Sequence, residues 1–327
     1  MIQDSIKTRV VGVDISIEKT VFAIVDVRGN LIARGDFPTK DFPNVNEYVT
    51  HLSNGIIELV ESNGGYESIR SVGVSTPSGN FLTGCIENPP NLEWKGQIPM
   101  AAMLRDRLGL AVALGNDVHA RALGEYVYGS AHGYKDFLVV NLGHGVGSCI
   151  TLKGKPYLGI DGFAGEVGHS CVVDGGRLCG CGNHGCLEAY VGTRGIVQTA
   201  KELMEEDNRP SLMRDVIDTL DPKDIWEFSE KGDELAIEVF RRTGHMLGIS
   251  LANYASVLNP EAIILCGGIT HAGNWLLKPT DDSFEEHVFH NLKGKVKIML
   301  SNLNENDRDL LGASALAWNV KEYSLFK

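Results

Sequence analysis

The sequence lacks any run approaching the roughly 18 apolar residues that a membrane span requires, so no transmembrane segment is expected. Its first residues, Met1 to Arg9, are polar and mixed in charge, unlike an apolar export signal, and a cytoplasmic location follows as an expectation. Positive charge is scarce: 30 lysines and arginines face 42 aspartates and glutamates, for a formal net charge of -12. A phosphate backbone or an anionic bilayer would be repelled by that balance, so neither nucleic acid nor membrane is an expected partner. No low-complexity linker divides the 327 residues, a length that suits two ordinary domains packed closely with a hinge. Cys85, Cys149, Cys171 and Cys266 are scattered rather than spaced as a disulfide framework, which points to a reducing compartment.

What the sequence does have is one dense stretch of chemistry. Gly162-Phe-Ala-Gly-Glu166-Val-Gly-His169 runs on into Cys179-Gly-Cys181-Gly-Asn-His-Gly-Cys186-Leu-Glu188. His169, Cys179, Cys181 and Cys186 make a Cys3His set, the shell that structural zinc prefers, with glycines that let the backbone curl around the ion. All four positions are filled by protein, so the zinc is expected to shape a loop rather than activate water. A redox or disulfide pair at Cys179 and Cys181 is the plainer alternative.

Hydrophobic periodicity supplies the frame. Val10 to Asp14, Thr20 to Val27 and Leu31 to Phe37 read as a β-meander turning at Arg28-Gly-Asn30. Phe137 to Leu142, a glycine-rich break at Gly143-His-Gly145-Val-Gly147, Ser148 to Leu152 and a turn at Lys153-Gly-Lys155 repeat that pattern, which predicts two halves of similar topology facing each other across a cleft. Helical spacing is predicted over Val45 to Ser62, Met100 to Leu108, Val118 to Tyr128, Gly195 to Glu206, Glu234 to Val257 and Leu310 to Trp318. Further strands are expected at Ile69 to Ser75, Ala111 to Gly115, Ala262 to Cys266 and Val296 to Leu300. The boundaries drawn from this are a small α/β domain over 1-117, joined by a C-terminal helix at 310-327, and a larger α/β domain over 118-309 that carries the knuckle.

Asp117 stands at a strand-to-helix junction, where a carboxylate can accept a proton from a substrate hydroxyl as its oxygen attacks an electrophile. Capping the helix that follows is the alternative use of the same residue. Asn80, Asn116, Glu166, His169 and Glu188 add donors and acceptors suited to a polyhydroxylated ligand, although each acid taken alone reads more readily as a solvated surface charge. His169 could meet zinc through one ring nitrogen and the ligand through the other. The glycine-rich breaks at Gly143, His144 and Gly145 and at Gly267-Gly268 offer bare amides for phosphate, or are only tight turns.

Together these residues resemble the ROK (repressor, open reading frame, kinase) family of sugar kinases and sugar-responsive regulators. The match is most specific at Gly165-Glu166-Val-Gly-His169 and Cys179-x-Cys181-Gly-x-x-Gly-Cys186-Leu-Glu188. Pro77 to Asn80, Pro90-Asn91-Leu92-x-Trp94, Gly115-Asn116-Asp117, Leu142-Gly143-x-Gly145-Val-Gly147 and Gly267-Gly268 support it. The resemblance implies an actin-like, ribonuclease H-like α/β fold of two domains around a cleft, closing over ATP and a hexose or N-acetylhexosamine. It implies Asp117 as general base, Asn80, Asn116, Asp117, Glu166, His169 and Glu188 on the sugar, and zinc on His169 with the three cysteines. Cofactors would be ATP, Mg2+ and structural Zn2+, and the assembly a homodimer or homotetramer. Repressor members need a DNA-binding helix-turn-helix, and only about nine residues precede the first strand, so that role is not expected.

The nucleotide side departs from the family. Asp-x-Gly-Gly-Thr-Lys is usual in the first phosphate loop, whereas Asp14-Ile15-Ser16-Ile17-Glu18-Lys19 stands here, and His144 replaces a usual Thr in the second. Glu18 brings a negative charge toward the phosphates, to be offset by Lys19 or magnesium. Asp14, Lys19, Gly143, His144, Gly145, Gly267 and Gly268 are the expected nucleotide-side residues. An ATP-dependent hexose kinase is the reading this gives; a sugar-binding sensor or scaffold with an altered phosphate loop is the alternative.

Overall fold

The computed structural model describes residues 7–89 and 92–320. Pro90 and Asn91 of the Pro-Asn-Leu-x-Trp motif, and residues 321–327 of the expected C-terminal helical segment, lie outside the described residues. The chain divides into two compact units: Met1–Gly133 with Leu158–Gly162 and Asn302–Lys327, and Tyr134–Tyr157 with Phe163–Ser301.

In the first unit the chain runs β1 (Arg9–Ile15), β2 (Lys19–Asp26), β3 (Leu31–Pro38), α1 (Val45–Glu61), β4 (Ile69–Thr76), β5 (Gly79–Asn80), β6 (Cys85–Glu87), β7 (Gln97–Ile98), α2 (Met100–Leu108), β8 (Ala111–Asn116) and α3 (Asp117–Tyr128). The main sheet has the order β3-β2-β1-β4-β8, antiparallel on the meander side and parallel from β1 to β4 to β8. Period-two alternation divides its faces. Val11, Val13, Ile15, Val72 and Val74 join Leu52, Ile56, Met100 and Leu104 in one core, while Val10, Ala23 and Val25 pack on the other side against Leu310, Leu311 and Ala317 of the helix Arg308–Trp318.

That second face is shaped by two glycines in register. Gly12 of β1 lies beside Gly73 of β4, and a Cβ on either would meet helix backbone: Leu310 O at 2.7 Å for Gly12, Ala313 O at 1.9 Å for Gly73. The small run Gly312-Ala-Ser-Ala lies against this bare patch, and Ser71 donates to Ala317 O at 2.8 Å beside it. On its other side the helix meets α3 as closely, since a Cβ on Gly124 would lie 3.0 Å from Gly312 Cα.

The second unit contains β9 (Phe137–Leu142), β10 (Val146–Leu152), β11 (Lys155–Pro156), α4 (Glu188–Val191), α5 (Thr193–Glu206), α6 (Pro222–Glu230), α7 (Glu234–Leu258), β12 (Ala262–Cys266), α8 (Asn274–His287) and β13 (Lys297–Leu300), after which α9 (Arg308–Trp318) returns to the first unit. Its sheet order, β11-β10-β9-β12-β13, repeats the first with the same antiparallel and parallel pairings, as the duplicated meander predicts. Leu138, Val140, Ile263 and Leu265 face a core built on the α7 residues Leu235, Val239, Phe240, Leu247 and Leu251. Helix α7 takes α8 against Gly244 and Gly248, where a Cβ would meet Leu276 O at 2.9 Å and Thr280 O at 2.5 Å respectively.

The units differ from the division drawn at Asp117 and Val118. Helix α3 stays with the first unit because it packs on α9, and Leu158–Gly162 belongs there too, held by the Asn80 side-chain amide donating to Asp161 O at 3.2 Å. Replacing Gly73 by alanine should lift α9 from the sheet and lower unfolding stability by about 1–3 kcal/mol, read in a denaturant titration.

Candidate functional site

In the first unit the candidate residues Asp14, Asn116 and Asp117 gather where β1, β8, α3 and α9 end or begin. Asn116 is the N-cap of α3, its Oδ1 accepting the Val118 amide at 3.0 Å, and Asp117 is the first helical residue. The cap weighed for Asp117 is therefore carried by its neighbour, although Asp117 Oδ1 shares the same amide at 2.9 Å. Asp117 Oδ2 lies 3.6 Å from Nη1 of Arg121, one turn on. Arg121 in turn donates through Nε to Asp309 Oδ1 at 2.5 Å, across the α3–α9 contact.

Asp14 completes the group. It sits two residues beyond Gly12 on the face of β1 that meets α9, and its carboxyl is raised to about 7. Burial is the largest cause; the Asp309 charge raises it further, Arg121 and the Ser75 hydroxyl oppose the rise, and Asp117 adds to it. Three carboxylates thus share one guanidinium in a half-buried setting.

The turn that follows Asp14 is closed on itself. Ser16 donates its amide to Lys19 O at 3.1 Å and its hydroxyl to the same oxygen at 2.8 Å, and the Ser16 Oγ accepts the Lys19 amide at 3.2 Å. Lys19 reaches across β3 to Asp36 at 2.9 Å, so its ammonium is spent in the sheet rather than beside Glu18, whose partner is Lys40 at 3.8 Å.

Asn80 is likewise engaged, its Oδ1 accepting the Leu82 amide at 2.9 Å while its amide holds Asp161. Its observed contacts are those of a loop tie.

In the second unit, β9 leaves into a tight turn with the Gly143 amide on Gly145 O at 3.0 Å. Thr193, at the start of α5, binds Gly143 O through both its amide, at 2.9 Å, and its hydroxyl, at 3.1 Å. Gly267 follows β12 at φ 98°, and a Cβ there would lie 2.3 Å from Leu142 O, so only glycine lets the two strand ends run side by side. Beside them opens a cavity of about 530 Å3 lined by Gly143, His144, Thr193, Gly268 and the first turns of α6, where Asp221, Lys223 and Trp226 face it. Gly143, His144 and Gly268 are thereby brought together as expected; Gly145 instead lies against Glu188, whose Oε2 a Cβ would approach to 2.7 Å. Trp226, Lys223 and Asp221 escaped sequence reasoning, though Asp221-Pro222-Lys-Asp224 is a capping box with proline at the first helical position, a readable helix start.

The knuckle folds as a pair of short antiparallel bridges, Cys171 with Cys186 and Leu178 with His184. Gly185, at φ 77°, passes so near Val173 that a Cβ would lie 1.8 Å from its carbonyl oxygen. This brings the ligand atoms of His169, Cys179, Cys181 and Cys186 within 4.8 Å of one another. Cys181 Sγ to Cys186 Sγ and Cys179 Sγ to His169 Nδ1 are each 3.7 Å. A tetrahedron with bonds of about 2.3 Å has edges of about 3.8 Å, so the donor set fits zinc, and Cys179, Cys181 and Cys186 are all free of disulfides. Burial pushes the Cys179 thiol up to about 12, so without a cation it stays protonated.

Glu188 links the knuckle to the glycine turn, with Oε1 3.5 Å from Cys179 Sγ and Oε2 accepting the Val146 amide at 2.9 Å. Gly165 and Val167, on either side of Glu166, are both bonded to the Ser148 hydroxyl of β10. Arg177 anchors the knuckle's rear, donating to Ala189 O at 3.1 Å and Gly195 O at 3.0 Å.

The raised Asp14 carboxyl sets a stability signature. Its folded state holds the proton well above the 3.8 of an unperturbed aspartate, so stability is fullest below about pH 4 and falls as pH rises through about 7. Asp14→Asn should match the unsubstituted protein near pH 4 and exceed it at pH 8, by on the order of a few kcal/mol, in thermal melts across that range.

Comparison with known proteins accords with this geometry. The sequence model of the ROK family matches residues 10–320. Glucokinase of Halalkalibacterium halodurans is 30% identical over 320 residues, covering 95% of this chain and 94% of that protein. The crystal structure of a ROK family glucokinase from Streptomyces griseus, in complex with glucose and AMPPNP, superposes with a TM-score of 0.76 at 29% identity, covering 95% of this chain and all of that one. The xylose repressor of Bacillus spizizenii is 25% identical over 316 residues, 94% of this chain and 76% of its own. The fold is the actin-like α/β fold of these kinases, and the chain belongs to the ROK family.

Proposed function

We propose that the protein is an ATP-dependent kinase of a hexose or N-acetylhexosamine, with Asp117 as the general base. The observation that carries this reading is the division of labour at the start of α3: Asn116 caps the helix, and Asp117 Oδ2 lies 3.6 Å from Nη1 of Arg121. A carboxylate so held can take the proton of a sugar hydroxyl as that oxygen attacks a γ-phosphate. By the family resemblance Asn80, Asn116, Asp117, Glu166, His169 and Glu188 are the proposed sugar contacts, Asn80 being tied to Leu82 and Asp161. The cavity beside Gly143, His144 and Gly268 suits a nucleoside, with the Trp226 ring as an apolar wall and Asp221 as an acceptor for ribose hydroxyls. The glucokinase relative and the AMPPNP complex of the Streptomyces griseus enzyme support the same assignment. Zinc on His169, Cys179, Cys181 and Cys186 would fix the knuckle, and through Glu188 the glycine turn. The proposed place of work is the cytoplasm, and the proposed assembly a homodimer or homotetramer.

A second reading, a sugar-binding sensor without turnover, is favoured by one observation: the turn after Asp14 satisfies its own hydrogen bonds, and Lys19 is committed to Asp36. A coupled ATP-consumption assay over hexoses and N-acetylhexosamines separates the two. Sugar-dependent turnover that falls by a factor of about 1000 or more in Asp117→Ala supports the kinase. Sugar binding by calorimetry with no turnover supports the sensor.

The knuckle gives its own test. Cys181→Ser should lose the bound zinc, measured by elemental analysis, and lower the melting temperature, because the metal contributes on the order of 10 kcal/mol to such a site. Chelation of the unsubstituted protein should do the same.

A further inference from the structure

Arg121 has no part in the sequence reading, yet it is the hub of the first unit's charged group. Its side chain is 14% exposed, and it is gripped by Asp309 at 2.5 Å while lying 3.6 Å from Asp117. The grip is set by packing: a Cβ on Gly312 of α9 would meet the Ala120 carbonyl carbon at 2.7 Å, which brings Asp309 opposite Arg121 on the neighbouring helix. Arg308 adds a second guanidinium, its Nε 4.0 Å from Asp309 Oδ1.

We propose that Arg121 is a positioning residue for the reaction, tethered by Asp309 so that it orients the Asp117 carboxylate without closing on it as a tight pair. This rests on the kinase reading in which Asp117 is the base. The chemistry of the arrangement is a balance. A guanidinium free to swing would close a bidentate bond on Asp117 and occupy the lone pairs that a sugar hydroxyl needs. With Asp309 holding Nε, Nη1 lies 3.6 Å from Asp117 Oδ2. The same charge offsets the repulsion among Asp14, Asp117 and Asp309, three acids supplied by β1, α3 and α9. The groups that bear on Asp14 are Asp309 from α9, Arg121 and Asp117 from α3, and Ser75 from β4; His119 of α3 also feels the Asp117 charge.

Opposite substitutions should therefore act in opposite senses. Arg121→Met removes the cation beside both Asp117 and Asp14, so each carboxylate loses a charge that favours its ionised form and the acid limb of the kcat profile should move to higher pH. Asp309→Asn removes an anion that pushes Asp14 up and frees Arg121 to close on Asp117, so the limb should move to lower pH while kcat falls. Both should lower kcat by about 10- to 100-fold with the KM for sugar within about 3-fold, as for a misaligned catalytic group. Arg121→Lys keeps the charge but not the fork, and should restore the limb position while recovering only part of kcat.

The experiment is steady-state kinetics on these three variants from pH 5.5 to 9, with Asp117→Ala alongside and circular dichroism melts as the folding check. Limbs displaced in opposite directions, with lysine rescuing the arginine limb, support the tether. Turnover that depends on Asp117 but has the same limb in Arg121→Met and Asp309→Asn overturns it and leaves the kinase reading standing. No sugar-dependent turnover in the unsubstituted protein overturns both. Should Arg121→Met fail to fold, Asp309→Asn alone decides, because a structural role predicts lost stability without the downward shift of the limb.

Discussion

The backbone of α9 lies directly on the first sheet, and the rest of that unit depends on this approach. It requires Gly12 and Gly73 to be neighbours in register, because any side chain at either would occupy helix backbone. It also requires the small residues of the helix itself, from Gly312 to Ala315, and Gly124 on α3. The packing is thus achieved by removing atoms, and its directional content comes afterwards. Once α9 is seated, its first turn carries Asp309 to Arg121, and the acids from β1 and α3 fall into the same field. The cost shows in Asp14, whose carboxyl is buried against like charges that disfavour its ionised form.

The second unit solves a different problem with a different device. Its glycine turn has few side chains of its own and cannot be stiffened by a hydrophobic core. It is fixed instead from outside, by Thr193 at the start of α5 and by Glu188, whose carboxylate touches both the turn and a knuckle thiol. Arg177 then ties the knuckle to the helices behind it. Loop geometry in this unit is therefore set by a cation-ready cluster and its attendants, whereas in the first it is set by close helix packing.

Much of this was legible in the chain. The strands β1, β2, β3, β9 and β10 followed from alternation, and the shared order of the two sheets was foreshadowed by the duplicated meander. The knuckle was readable because cysteine and histidine at short glycine-rich spacings serve few other purposes. Helix α8 was not, because Pro279 and Asp281-Asp282 interrupt its apolar rhythm, and its backbone packs closely on α7 at Gly244 and Gly248. Lys19 was assigned to the nucleotide side by motif position, while cross-strand pairing with Asp36 decides where its ammonium goes. The Arg121–Asp309 link spans 188 residues, and no local pattern announces a contact of that separation.

Because α9 follows the second unit in sequence, the order of synthesis bears on how the first unit is completed. Strands β1 to β8 leave the ribosome early, but the helix that covers Gly12 and Gly73 follows only after the whole second unit, Tyr134–Tyr157 and Phe163–Ser301, has been made. At about 5–20 residues per second that interval is roughly 10–30 s, during which one face of the first sheet has no partner. The second unit can mature on the growing chain; the first is finished last. Asp309 arrives with that helix, so the charged group it completes exists only once translation has passed α9.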